Sequence, residues 1–114
     1  MFMTGEHRGY CLDPYKRQFR AAPPVSTIGF SPRNTMRTDA VHRKLDVCFI
    51  LRGAGFLQVD RRRYPVKAPC VMTIAPGLRT RHGPKVDWDE VYISYHPPAI
   101  PALVGRRLVM PEQP

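Results

Sequence analysis

Between Asp46 and Pro97 the chain is cut into short apolar runs by glycine and proline at a near-regular beat: DVCFILRGAGFLQVD, RRYPVKAPCVMTIAPG and WDEVYISYHP. A helix needs apolar residues every three or four positions over several turns. No stretch here keeps that period, with start and stop signals, for more than about two turns. Short β-rich runs bounded by turn formers are the pattern of strands. The 13 prolines and eight glycines reinforce it: proline removes a backbone donor, and glycine makes positive φ cheap. About seven or eight strands with a turn every eight to twelve residues predict an all-β barrel or sandwich.

At 114 residues the chain has material for one core, not two. Its formal net charge is +9. The basic residues are spread along the chain without a basic helix or an aromatic-basic signature, so they read as surface charge rather than a nucleic-acid site. No apolar run approaches the roughly 20 residues of a membrane span. The N-terminal MFMTGEHRGY carries charge where a signal peptide needs an apolar stretch. Cys11, Cys48 and Cys70 are odd in number and show no CxxC spacing. They suggest neither a disulfide framework nor a zinc knuckle, and a cytoplasmic setting is expected. Cys48 and Cys70 fall in apolar runs and should be buried and inert.

The expected organisation is an arm over residues 1–24, a barrel over 25–98, and a linker or the start of a further element over 99–114. The arm is polar and basic and ends in Pro23-Pro24. Val25 to Phe30 is a first strand, and Ser31 to Arg43 a polar connection. Asp46 to Arg52 is a strand, Gly53 and Gly55 form a tight turn or bulge, and Phe56 to Asp60 runs back. Tyr64 to Lys67, Cys70 to Ala75 and Leu78 to His82 are further strands. Gly83-Pro84 opens a loop, and Trp88 to His96 is the last good strand. A weak element over Ala102 to Met110 follows.

Alternation places Trp88, Glu90 and Tyr92 on one face of that last strand, and Val91, Ile93 and Tyr95 on the other. A carboxylate facing a barrel interior is costly without a partner. Arg79, Arg81, His82 or a cationic ligand could supply one. Trp88 also reads as plain core, Tyr92 as core or pocket, and His82 as a surface or capping histidine. A one-residue slip would exchange the two faces. The Arg61-Arg62-Arg63 run sits at a hairpin tip and reads as a solvated turn more readily than as a phosphate contact. Gly53-Ala54-Gly55 lacks the following helix of a phosphate-binding loop.

LRGAGFLQVD, KAPCVMTIAPG and WDEVYISYHP in this order and spacing resemble the cupin-type N-terminal domain of AraC-family transcription regulators. The resemblance covers about residues 25 to 100. One departure is that Ala68-Pro69-Cys70 stands where the family usually has Pro-Gly-Asp. The resemblance implies a cupin-like jelly-roll barrel that is not an enzyme and needs no cofactor. It would bind a small polar effector, a sugar or organic acid, in a homodimeric regulator. DNA would be read only by a helix-turn-helix domain outside this sequence. In a sugar-sensing member the effector is gripped from the strand after the Pro-Gly turn and from the Trp-containing strand. Those places fall on His82, Glu90 and Tyr92 here, with Trp88 beside them. A family arginine falls opposite Thr38, and a loop shift would bring Arg37 or Arg43 there; Arg43 is kept as a candidate.

Metal-dependent cupin enzymes supply the rival reading, a small free-standing enzyme. Their ligand positions fall on Ala40, His42, Asp46 and Thr80, so two of the four are ligand types. With His82 two residues further on, His42, Asp46 and His82 make a weak facial-triad candidate. Arg43 and Lys44 beside His42 repel a cation, and His42 is expected on an exposed loop. A third reading is an interaction module with an empty barrel.

Overall fold

The computed structural model describes residues 7–16 and 22–105. Its strands are β1 (Arg8–Cys11), β2 (Thr27–Asn34), β3 (Thr38–Val41), β4 (Leu45–Val59), β5 (Arg62–Lys67), β6 (Cys70–Ile74) and β7 (Arg79–Tyr95). A 3-10 turn, Pro97–Ala99, leads into a short helix α1, Ile100–Gly105. All strand pairs are antiparallel.

Two long strands organise everything else. β4 and β7 pair from Leu45↔Tyr95 to Val59↔Thr80. The first half of β4 also pairs with β6, and its second half with β5. The second half of β7 pairs with β2, and its first half with β3. β1 extends the edge beyond β2. The same two strands therefore carry two layers, β1-β2-β7-β4-β6 and β3-β7-β4-β5. Their inward side chains meet in one core: Cys48, Ile50, Met72, Ile74 and Trp88 from the first layer, Leu57 and Val66 from the second. Fully burying an aliphatic side chain of this kind is worth about 1.5–3 kcal/mol. This is the jelly-roll barrel that the resemblance implies, and of the barrel or sandwich expected from the strand pattern it is the barrel.

Three local expectations are corrected. Of the turn or bulge expected at Gly53 and Gly55 the bulge forms: the chain does not run back after it but continues through a bulged segment of β4, with Gly53 at φ 102°. Gly83-Pro84 is likewise no loop but lies inside β7, with Phe56↔Gly83 and Gly55↔Pro84 in register. The stretch from Ser31 to Arg43 contains the end of β2 and all of β3, which pairs with Arg79–His82. Glycine and proline mark departures from a regular strand, and a bulge is as good a departure as a turn. The hairpin that does form, β4 to β5, turns at Asp60 and Arg61, with Asp60 at φ 52°, so Arg62 and Arg63 lie on β5.

The bulges set which residues face inward. Between Ile50↔Glu90 and Arg52↔Asp89, β4 sets two residues against one. The inward positions of β4 accordingly change from even-numbered (Cys48, Ile50) to odd-numbered (Leu57). Between Gly53↔Trp88 and Gly55↔Pro84 the extra residues lie on β7, four steps against two. Its inward positions stay even: Thr80, His82, Pro84, Trp88, Glu90 and Ser94.

The described part of the N-terminal segment folds back on the barrel. Beyond β1, Leu12 N–H donates to Ser26 O at 2.7 Å, and His96 Nε2 lies 3.0 Å from both Asp13 Oδ2 and Ser26 Oγ. Residues 1–6 and 17–21 of the expected arm lie outside the described residues. α1 packs Leu103 on Leu45, beside Ala99, Val47 and Tyr95. The rest of the element expected to Met110 lies outside the described residues. Cys48 is buried, Cys70 half-buried, and both are free thiols. Burial pushes the Cys48 thiol well up. Among the described residues no helix is long and apolar enough to cross a membrane.

Candidate functional site

The inward faces of β4 and β7 leave a cavity of about 310 Å³. Five strands and one loop line it. β7 contributes His82, Glu90, Tyr92 and Ser94; β4 contributes Asp46 and Cys48; β2 and β3 contribute Thr27 and Thr38. His42 and Lys44 enter from the loop between β3 and β4, and Ile74 closes the apolar side.

Glu90 is the chemical centre. It is 8% exposed, and burial raises its pKa above the ordinary carboxylate value. Two donors act against that: Trp88 Nε1–H donates to Oε1 at 3.0 Å, and the Cys48 thiol bonds the same carboxyl. The negative charge of Asp46 adds to the rise. Asp46 is itself raised by burial, with His42 and Lys44 opposing. Its Oδ2 lies 3.4 Å from His42 Nδ1. His82 is 8% exposed, and its pKa is lowered to about 4, first by burial and then by His42. At neutral pH it is therefore a neutral imidazole that can donate or accept. The two rings stand 6.0 Å apart between centroids.

Three buried polar atoms around this cavity have no protein partner among the described residues: His42 Nε2, His82 Nδ1 and Ser94 Oγ. Burying such a group unpaired costs about 1–3 kcal/mol. Their placement follows from the sheet. His82 and Ser94 lie on the same face of β7 as Glu90, and Gly77 N–H holds His42 O at 3.1 Å, anchoring the loop.

Tyr92 joins the cavity to the N-terminal segment. Its ring lies across β2 at Gly29, where a Cβ would sit 2.2 Å from Tyr92 Cζ. Only glycine leaves that space. The phenol oxygen then reaches His7 Nε2 at 2.9 Å, and the two rings stack with centroids 5.9 Å apart.

The family described as the AraC-like ligand binding domain matches residues 24–114. The chain belongs to that family. No curated protein matches it in sequence. Solved structures show the barrel shared by this AraC-like domain. A cupin 2 conserved barrel domain protein from Salinispora arenicola superposes at TM-score 0.57 and 16% identity, over 88% of this chain and 84% of that one. A cupin superfamily protein from Desulfitobacterium hafniense gives TM-score 0.55 and 10% identity, over 84% and 82%. A Salmonella typhimurium protein described as ethanolamine utilization protein Q gives 0.54 and 17%; the chain spans 56% of its length, and 60% of this chain is covered.

In this AraC-like domain the predicted residues fall as follows. His82, Glu90 and Tyr92 line one cavity. Trp88 is fully buried and does not line it; its indole holds Glu90 from behind. Arg43 is exposed and outside the lining, and the cation present is Lys44, whose Nζ donates to Thr27 Oγ1 at 3.3 Å. His42, expected on an exposed loop, faces the cavity instead, with its side chain 18% exposed. His42, Asp46 and His82 all border the same space. Yet no group of three or more histidine, cysteine or carboxylate residues among the described residues has the spacing to hold a metal. The set does not fit a metal centre. Sequence reasoning missed Thr27, Lys44 and Ser94, and reached Thr38 only as the position opposite the family arginine. Ser94 continues the alternation of Glu90 and Tyr92 and was readable from it; the others depend on contacts distant in sequence.

Proposed function

We propose that this AraC-like domain is the sensor of a transcription regulator and holds a small, hydroxyl-rich polar effector, of the sugar or organic acid class, in the Glu90 cavity. The carrying observation is the set of three buried, unpartnered polar atoms around one space that also holds a buried carboxyl. A hydroxyl both donates and accepts, so it suits imidazole nitrogens, a serine and a carboxyl together. The cavity volume of about 310 Å³ lies at the small end of the range for ligand pockets.

The route out of the site is Tyr92. An effector that moves its ring alters the contact to His7, so it binds one arrangement of the N-terminal segment better than another. Only such a differential affinity can shift a conformational equilibrium. In this reading the signal passes to a helix-turn-helix domain outside this sequence, in a homodimer, and the cavity performs no chemistry.

The test is a thermal-shift screen against sugars, organic acids, amines and divalent metals, followed by calorimetry. A ligand at 100 times its dissociation constant stabilises by about 2.7 kcal/mol. A sugar or acid response that is lost in Glu90→Gln supports the sensor. A response to metal alone, removed by chelator, overturns it in favour of the cupin enzyme.

A further inference from the structure

A second concavity, of about 510 Å³, lies on the outward face of the β3-β7-β4-β5 layer and shares no residue with the Glu90 cavity. Its floor is Phe56, Ala54 and Pro65, and its rim carries Arg37, Arg63 and Lys85. The Arg63 guanidinium carbon lies 4.2 Å from the centre of the Phe56 ring, and that of Arg37 5.6 Å away. At these distances the ring face attracts each guanidinium and helps to hold it over the cleft.

Arg37 is also fixed from below. Its Nε donates to Pro84 O at 3.1 Å, and its Nη2 to Lys85 O at 3.3 Å. The backbone carrying it rests on Gly83, where a Cβ would come within 2.8 Å of Arg37 Cα. Two of its five N–H groups are thus used, and the rest remain for a ligand.

The charge of this cleft is uncompensated. Elsewhere on the barrel, arginines sit on carboxylates: Arg52 on Asp87 and Asp89, Arg79 and Arg81 on Asp39. No carboxylate lines the cleft, and Arg37, Arg63 and Lys85 have no ion pair among the described residues. Three cations around a concave apolar floor match a compact dianion attached to an organic body.

We propose that this cleft is a second ligand site, for a small organic phosphate monoester: the phosphate lies among Arg37, Arg63 and Lys85, and the organic portion lies on Phe56 and Pro65. The guanidinium fork suits phosphate oxygens, and a lysine adds a point charge. The volume suits a small molecule. A polynucleotide fits less well, because the three charges close on one concavity rather than following a strand.

The experiment is calorimetric titration of the whole chain with phenyl phosphate, inorganic phosphate and a random-sequence DNA duplex, at two salt concentrations. Phenyl phosphate is expected to bind more tightly than inorganic phosphate. Arg63→Gln and Lys85→Gln, both at exposed positions, should each weaken it about tenfold, the usual scale for losing a charge-assisted contact. Glu90→Gln, which alters only the other cavity, should leave it unchanged, so the two sites stand or fall separately. No heat with phenyl phosphate overturns the proposal. So does binding that is indifferent to both cleft substitutions. Duplex binding that is lost in those variants, without phenyl phosphate binding, overturns it in favour of a nucleic-acid surface.

Discussion

Replacing His82 with glutamine removes one titrating group from the cavity while keeping a polar side chain there. His82 is 8% exposed, and its pKa falls from 6.5 to about 4, mainly because burial penalises the imidazolium and secondly because His42 faces it. The sign follows directly. Between about pH 6.5 and pH 4 the unfolded chain takes up a proton that the folded chain refuses, so acid favours unfolding in this window. Above it both states are neutral here, and below it both are charged. The gap between 6.5 and about 4, at about 1.4 kcal/mol per pH unit, amounts to roughly 3 kcal/mol. Asp46 and Glu90 act in the opposite sense: burial raises both, so their folded forms take up protons first as pH falls. The wild-type curve mixes these effects. The difference between wild type and His82→Gln isolates the histidine. Urea unfolding of both proteins from pH 7.5 to 4 should show the difference growing towards acid by roughly 3 kcal/mol, with wild type the loser. A difference constant across that range would show that His82 titrates normally. The cavity would then be wet, and the argument from buried unpartnered atoms would fall.

Other substitutions probe the same construction. Glu90→Gln removes a carboxylate whose ionisation burial disfavours, so relative to wild type the variant should be more stable at pH 7 than near pH 3, where the wild-type group is protonated in both states; an effect of equal size at pH 7 and pH 3 would contradict the raised pKa. Trp88→Phe deletes the donor to Glu90 Oε1 and should cost about 2–4 kcal/mol. The double variant with Glu90→Gln should cost less than the two single changes added together, and strict additivity in urea unfolding would deny the coupling. Gly29→Ala places a methyl where the Tyr92 ring lies and should cost about 1–3 kcal/mol. It should also release His7, read as faster proteolysis ahead of β2; an unchanged cleavage rate would count against the Tyr92 link.

How far the site was legible follows from strand periodicity. Trp88, Glu90 and Tyr92 share the inward face because alternation in an uninterrupted strand leaves no freedom once one position is fixed. Which of them touches the cavity was not legible, since Trp88 and Tyr92 differ only in depth, and depth is set by Gly29 and the core. The loop residues were the hardest. His42 owes its inward position to a bond from Gly77, and Lys44 rather than Arg43 reaches the cavity through Thr27 of β2. A one-residue step along a loop carries no periodic signal, so only the fold decides which neighbour turns in.

Local sequence left Gly53–Gly55 open between turn and bulge and misplaced a loop at Gly83-Pro84, and a second signal bears on the same residues. A hairpin at Gly53 would make Phe56–Asp60 a new strand paired with Asp46–Arg52, and any phase of alternation would serve it. A bulge instead inserts a residue into a continuing strand and must exchange the faces. The β4 sequence does this: Cys48 and Ile50 are buried before the bulge, Leu57 after it, an odd number of residues apart. On β7 the insertion is even, and burial keeps its phase from His82 to Glu90. That constancy is what brings His82, from the half paired with β3, onto the same face as Glu90, from the half paired with β2. One residue more or fewer between Gly83 and Trp88 would turn one of the two outward and dismantle the cavity. The bulges that mislead a local reading are therefore the devices that assemble the site.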